Sequence, residues 1–409
     1  LLYASLFSRA DRKVYYGEVS PKHGPGSTAD KLRGNAKYRQ YTWTRRLEAI
    51  FPSGEMLLPN WRFYDQLAAV DILEPGAEMP VKVITVPKTL KAPRIIGVEP
   101  TAMQYAQQGL LPIILEELAA DPVTRSLLGF DDQTPNQRLA RQGSITGDLA
   151  TLDLSEASDR VSNQLIMEMT RNHPHLQRAI QACRSRKADV QGHGVLRLSK
   201  FASMGSALTF PFEAMAFLVM VLVGVEKELN SPLTKKKIYR LLSGRARIYG
   251  DDIIIPTDYV QSVVSALELF GARVNTGKSF WNGKFRESCG KEYYGGFDVS
   301  IVKVRHEFPV RRQNATELIS AVSFRNQLRK AGYVETVDFM DSLLWKILKY
   351  FPRVDESSSV LGRYEWGLYD SDSWDENHHN PLVKGYVVSS VPPEDPLDGA
   401  GALLKFFLK

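Results

Sequence analysis

Apolar and polar positions repeat along this chain with two periods, and the switches between them mark its elements. In VKVITVPKTLKAPRIIGVEP, residues 81–100, Val81, Val83 and the run to Val86 predict a strand. Lys88, Lys91 and Arg94 crowd a short turn, and Ile95 to Val98 predict a returning strand, so the stretch reads as a basic β-ribbon. In LATLDLS, residues 149–155, Leu152 and Leu154 alternate with Thr151, Asp153 and Ser155. That pattern predicts a half-buried strand with Asp153 on its polar face. A helix is expected next, capped by Ser158, with Val161, Leu165 and Met169 along one side. Residues 203–228 start small, SMGSALTF, and continue as AMAFLVMVLVGV, the pattern of a buried core helix. RARIYGDDIIIP, residues 245–256, has two β-prone arms around Gly250, Asp251 and Asp252, which predicts a hairpin with the acids at its tip. DYVQSVVSALELFGARVN then gives a helix whose Val260, Val263, Val264, Leu267 and Phe270 share a face, with Gly271 suited to its end.

The remaining stretches are less regular. Residues 19–35 are rich in Gly, Pro and Ser and read as a loop; 275–304 are turn-rich with β-prone pieces. Beyond Pro309 the chain is expected to be mainly helical to about Tyr350, and 370–400 form an acidic, loop-like tail. No internal repeat appears. The order of elements predicts an α+β fold with an antiparallel sheet.

Composition adds little. The chain has 409 residues, 44% hydrophobic and 24% charged, an ordinary globular balance. No run of about 18 apolar residues stands out, so no membrane-crossing helix and no membrane partner are expected. Two cysteines, Cys183 and Cys289, are too few for a disulfide scaffold or a four-ligand zinc site. His173, His175, His378 and His379 lack companions at ligand spacing and are given no metal role. The net charge of +6 suits a polyanionic partner without requiring one. The chain starts at Leu1 rather than Met and is expected to be incomplete.

The acids carry the chemistry. Asp153 alone is an ordinary solvated strand acid, and a lone Gly-Asp-Asp is an ordinary turn. Placed side by side in one sheet, three carboxylates repel unless hard divalent cations meet them. Two such ions can clamp the attacking and leaving oxygens of an in-line phosphoryl displacement.

DLSEASD at 153–159, SMGSALTFPFE at 203–213, YGDD at 249–252, NTGKSF at 275–280 and FRESCGKEYYGGFDV at 285–299 follow the order of polymerase motifs A to E. Over roughly residues 80–310 the chain resembles a viral RNA-dependent RNA polymerase. More narrowly, it resembles the replicase catalytic subunit of levivirus-type (Qβ-like) single-stranded RNA bacteriophages. The resemblance implies a right-hand fold of fingers, palm and thumb with an antiparallel palm sheet. Expected parts are 1–80 and 81–148 (fingers, the second with the basic ribbon), 149–170 (palm, motif A), 171–200 (fingers insertion), 201–308 (palm, motifs B to E) and 309–409 (thumb).

By the same resemblance Asp153 and Asp251 are the principal ligands of two Mg²⁺ ions, with Mn²⁺ expected to substitute. Asp252 is auxiliary, and the Leu154 carbonyl is a further donor. Asp159, Ser203, Gly205 and Thr209 would meet the ribose and template, while Lys88, Lys91 and Arg94 would meet the triphosphate. Glu213 stands where many related polymerases have Asn. Lys278 would donate a proton to pyrophosphate. Tyr293 and Tyr294 could form a platform near the primer, and Phe297 is expected in the core. The implied reaction is RNA synthesis from ribonucleoside triphosphates on an RNA template, in the cytoplasm of an infected bacterium. Host elongation factors Tu and Ts and a ribosomal protein are implied partners. Two rivals remain open. A reverse transcriptase usually has a bulky gate where SEASD has small residues, and a non-catalytic RNA-binding protein would tolerate loss of the acids.

Overall fold

The computed structural model describes residues 2–87, 93–392 and 394–408. The chain forms two units. The first comprises Leu1–Thr85, Ile95–Ser300 and Asp395–Lys409; the second comprises Val86–Arg94 and Ile301–Glu394.

At the centre of the first unit lies a three-stranded antiparallel sheet, Leu149–Leu152, Asp252–Pro256 and Arg247–Tyr249, with Asp252–Pro256 in the middle. The register pairs Leu152 with Ile253 and Tyr249 with Asp252. The first strand differs from its sequence pattern. It stops at Leu152, and all four of its residues are buried, Thr151 included. Helix Thr134–Thr146 and the strand Phe285–Ser288 lie against it, so its polar face is covered by protein instead of water. The helix approaches so closely that a Cβ on Gly143 would lie 2.8 Å from the Leu149 carbonyl oxygen.

The expected core helix is Thr209–Leu229, with Phe212, Met215, Phe217, Met220 and Val225 almost fully buried. It crosses helix Val260–Leu269 at Gly224, where a Cβ would come within 2.5 Å of the Val263 Cα. Contrary to the reading from run length, this helix is long and apolar enough to cross a membrane, because Glu213 and Gly224 barely dilute it. Yet 78% of its most apolar window is buried inside the protein. Gly271 ends the second helix at φ +88°, with its N–H on the Glu268 carbonyl and that of Ala272 on Leu267, as its sequence suggests. Phe270, expected on the buried face, is 44% exposed, because the helix has already ended there.

The segment after Asp153 also differs in detail. A 3₁₀ turn, Ala157–Arg160, precedes a helix Asn163–Met169 capped by Ser162, whose Oγ accepts the Leu165 N–H. Ser158 is buried in the turn and caps nothing. The ribbon strands are Val81–Pro87 and Pro93–Val98; Pro93–Val98 is the edge of a sheet in which Val81–Pro87 lies between it and Lys187–Val190. Residues 285–298 make a three-stranded meander, in which Tyr293 faces the core. Its cross-strand neighbours Tyr294 and Phe297 form a pair on the other face. Phe297 is therefore 76% exposed, not core, because it lies on the edge strand Phe297–Asp298.

The second unit is built on helices Ala315–Lys330 and Val334–Leu348, around Leu318, Val337, Leu344 and Phe351. Arg325, 1% exposed, is held by Asp341 and Glu365 at 2.7 Å each. Within the tail, Ser373–Trp374 pairs with Pro381–Leu382. A helix unanticipated from sequence, Gly399–Phe407, belongs to the first unit.

Candidate active site

The hairpin tip is a two-residue turn. Gly250 has φ +60° and Asp251 is not among the positive-φ residues, the type II′ arrangement that favours glycine first. Glycine is required on steric grounds as well. A Cβ there would lie 2.5 Å from Phe210 Cε2 and 3.2 Å from Glu213 Oε1, both on the long helix. The arms are anchored by Ile248 on one side, 2% exposed, and by Ile253, Ile254 and Ile255 on the other, each at most 1% exposed. Asp251 is thus exposed on an anchored tip, and Asp252 is half-buried beneath it.

Register does the rest. Since Leu152 pairs with Ile253 antiparallel, Asp153 leaves its strand beside Asp252. The NTGKSF segment holds Asp153 in place. Asn275 Nδ2 donates to Asp153 Oδ2 at 2.9 Å, Asn275 N–H donates to the Asp153 carbonyl at 2.9 Å, and the Asp153 N–H donates to Ser279 Oγ at 3.1 Å. Asn275 and Ser279 escaped the sequence reading, although they flank Lys278 in the same motif. Lys278 is exposed in the turn that its N–H closes on the Asn275 carbonyl. Leu154 is buried and bridges Val274.

Asp252 faces a different neighbour. Its Oδ1 accepts the Cys289 N–H at 3.1 Å and the Ser288 hydroxyl at 3.2 Å, at the turn of the meander. Burial pushes its acid up to about 6, helped by the charges of Asp251 and Asp153 and opposed by those two hydrogen bonds. Glu213, 8% exposed, is pushed up to about 8, first by burial and then by Asp251 and Asp159. Five carboxylates, Asp153, Asp159, Glu213, Asp251 and Asp252, thus feel one another around the hairpin tip. Among the described residues no three His, Cys, Asp or Glu side chains form a ready-made metal cage. A fit to Mg²⁺ does not need one, since that ion commonly uses one or two carboxylates and completes its shell with water and phosphate oxygens. All the donors here are hard oxygens, and their mutual repulsion is what a cation would relieve.

The ribose-contact candidates lie on two segments. Asp159 sits in the 3₁₀ turn with Lys200 Nζ at 2.5 Å, a partner the sequence did not suggest. Ser203 and Thr209 are buried and joined, with Thr209 Oγ1 donating to the Ser203 carbonyl at 2.7 Å. Gly205, between them, has φ +125°. Arg94 is exposed in the second unit; Lys88 and Lys91 lie outside the described residues. His173 is a core residue whose Nε2 bonds the Tyr3 carbonyl at 3.0 Å.

A paired-acid hairpin beside a strand-end acid is the arrangement that the motif series implies, and comparison with known proteins gives the family. The profile of the family described as "RNA replicase, beta-chain" matches residues 77–357. The chain belongs to that RNA replicase beta-chain family. It is 33% identical over 305 residues to the RNA-directed RNA polymerase beta chain of Enterobacteria phage fr, covering 74% of this chain and 49% of that one. With the beta chain of Escherichia phage MS2 it shares 36% over 267 residues, 65% of this chain and 43% of the relative. With the beta subunit of Escherichia virus Qbeta it shares 36% over 225 residues, 55% and 35%. The chain spans about half the length, or less, of these curated relatives. An insertion-loop deletion mutant of a human picorbirnavirus RNA-dependent RNA polymerase overlaps it at a TM-score of 0.43 and 11% identity, covering 64% of this chain and 57% of that one.

Proposed function

We propose that this chain performs template-directed RNA synthesis, extending an RNA 3′ end with ribonucleoside 5′-triphosphates, in the genome replication of an RNA phage. The observation that carries the reading is the register of the central sheet, which sets Asp153 beside the Gly250-Asp251-Asp252 turn. Residues 149–170 and 201–308 serve as palm, 1–80, 81–148 and 171–200 as fingers, and 309–409 as thumb. The site of action is the cytoplasm of an infected bacterium, with RNA and triphosphates as substrates. Host elongation factors Tu and Ts and a ribosomal protein are the partners that family membership suggests.

In this reading Asp153 and Asp251 hold the divalent cations, with the Leu154 carbonyl and Asp252 as further donors. Bound Mg²⁺, or Mn²⁺ in its place, supplies Lewis-acid stabilisation of the phosphate charge. The primer 3′-hydroxyl gives up its proton to solvent as its oxygen bonds to the α-phosphorus, the bond to the bridging oxygen breaks, and pyrophosphate departs with a proton from Lys278. Asn275 and Ser279 keep Asp153 from turning away, as Cys289 and Ser288 keep Asp252. Asp159, Ser203, Gly205 and Thr209 surround the ribose, where a 2′-hydroxyl can both donate and accept. Lys88, Lys91 and Arg94 meet the triphosphate. No bulky side chain stands in SEASD, which favours ribonucleotides over deoxyribonucleotides.

The test is incorporation on an RNA template with ribo- or deoxyribonucleoside triphosphates, with and without EDTA. Ribonucleotide incorporation that stops on chelation is expected. A preference for deoxyribonucleotides, or synthesis surviving excess chelator, contradicts the proposal.

A further inference from the structure

We propose that Gly97 is a positioning residue for sugar selection, which sets the height of the Ser203–Leu208 loop; the inference rests on the polymerase reading above. Gly97 belongs to the strand Pro93–Val98 and is buried. Its N–H donates to the Met204 carbonyl at 2.7 Å. The two backbones also meet face to face. A Cβ on Gly205 would lie 2.1 Å from the Gly97 carbonyl oxygen. A Cβ on Gly97 would lie 2.7 Å from Ser203 Cβ and 2.6 Å from Val81 Cγ1. Real Cβ atoms do not come so near to other heavy atoms, so two glycines are needed for this contact.

The opposite flank of the loop is held too. Gln107 Oε1 accepts the Ala207 N–H at 3.2 Å, while its Nε2 donates to the Cys183 carbonyl at 2.9 Å. Within the loop the Ser206 N–H closes on the Ser203 carbonyl at 3.0 Å, which also takes the Thr209 hydroxyl. Ser203 thus has its backbone fixed from inside the loop and its Cβ pressed against Gly97. Moving Gly97 moves Ser203 and Gly205 together. A displacement near 1 Å at a contact made to one hydroxyl of the substrate falls on selection more than on overall turnover.

The experiment uses the whole chain and two readouts on Gly97→Ala. The first is amide hydrogen exchange of residues 203–208, which needs no activity. The second is the ratio of kcat/KM for a ribonucleotide to that for its deoxy analogue. Expected are faster exchange in the loop, a ratio reduced about tenfold, and a rise in ribonucleotide KM larger than any fall in kcat. A merely structural role would lower both substrates alike and leave the ratio unchanged. Gly26→Ala, where a Cβ meets nothing within 4 Å, is expected to change neither readout. Should Gly97→Ala fail to fold, Gln107→Leu releases the Ala207 N–H from the other flank and is expected to shift the ratio the same way. An active wild type whose ratio and loop exchange are unmoved by these changes overturns the inference. A wild type that incorporates neither substrate overturns the polymerase reading and the selection role with it, and the exchange arm then decides whether Gly97 positions the loop.

Discussion

At the scale of single residues, the site is built by giving each acid a different neighbour. Asp251 is left exposed, Asp153 is braced by Asn275 and Ser279, and Asp252 is turned onto the Ser288-Cys289 backbone. The partners explain why adjacent aspartates can differ in role, a difference that the letters DD do not contain. A second acid shows the same dependence on surroundings. Glu99 is 3% exposed, and burial pushes it up to about 7, against the pull of hydrogen bonds from Ser185 and Gln107 and the charge of Arg184. The folded protein therefore keeps a proton that the unfolded chain gives up at a carboxylate's ordinary value. The stability this contributes is complete below about pH 4.5 and is lost as pH rises through about 7. Glu99→Gln should remove that slope. The variant is expected to be more stable than the wild type at pH 8, by up to about 3 kcal/mol, with the gap closing by pH 4.5. Denaturant unfolding at both pH values measures it, and a pH-independent difference would contradict the assignment.

At the scale of elements, glycines mark where two backbones touch. Gly224 lets helix Thr209–Leu229 cross Val260–Leu269 with a Cβ position only 2.5 Å from a main-chain atom, which cannot swing aside. Gly224→Ala is expected to lower stability by about 1–3 kcal/mol through overpacking, in spite of alanine's better helix propensity. Gly76→Ala, facing open space, serves as the comparison. Equal unfolding midpoints for the two variants would contradict the crossing. The elements themselves were largely readable from hydrophobic period: the GDD hairpin and both long helices appear where the pattern put them, and the stretch read only as turn-rich with β-prone pieces holds the meander. What the pattern missed depends on partners distant in sequence. The strand Leu149–Leu152 alternates in composition but is buried on both faces, because helix Thr134–Thr146 and the strand Phe285–Ser288 cover its polar side. Phe297 looks like core and is exposed, because the strand that carries it is the edge of the meander. Ser162, not Ser158, caps the next helix, since the 3₁₀ turn after Asp153 delays its start.

At the scale of the whole molecule, the acids that matter come from segments about 100 residues apart, and only the antiparallel register joins them. Sequence order named Asp153 and Asp251, through the motif series, but could not supply their supports. Asn275, Ser279, Lys200 and Gly97 act across gaps of 41 to 126 residues for the contacts that fix Asp153 and Asp159, and comparable spans for Gly97. On the function proposed above, this register assembles one cation-dependent nucleotidyl-transfer site. The most direct test is Mg²⁺-dependent incorporation of labelled ribonucleotides on an RNA template by wild type and by Asp251→Asn. The wild type is expected to make template-complementary RNA, and the variant to lose at least about a hundredfold in rate, as removal of a principal charge-stabilising group does elsewhere. Equal synthesis by the two proteins would contradict a catalytic role for Asp251.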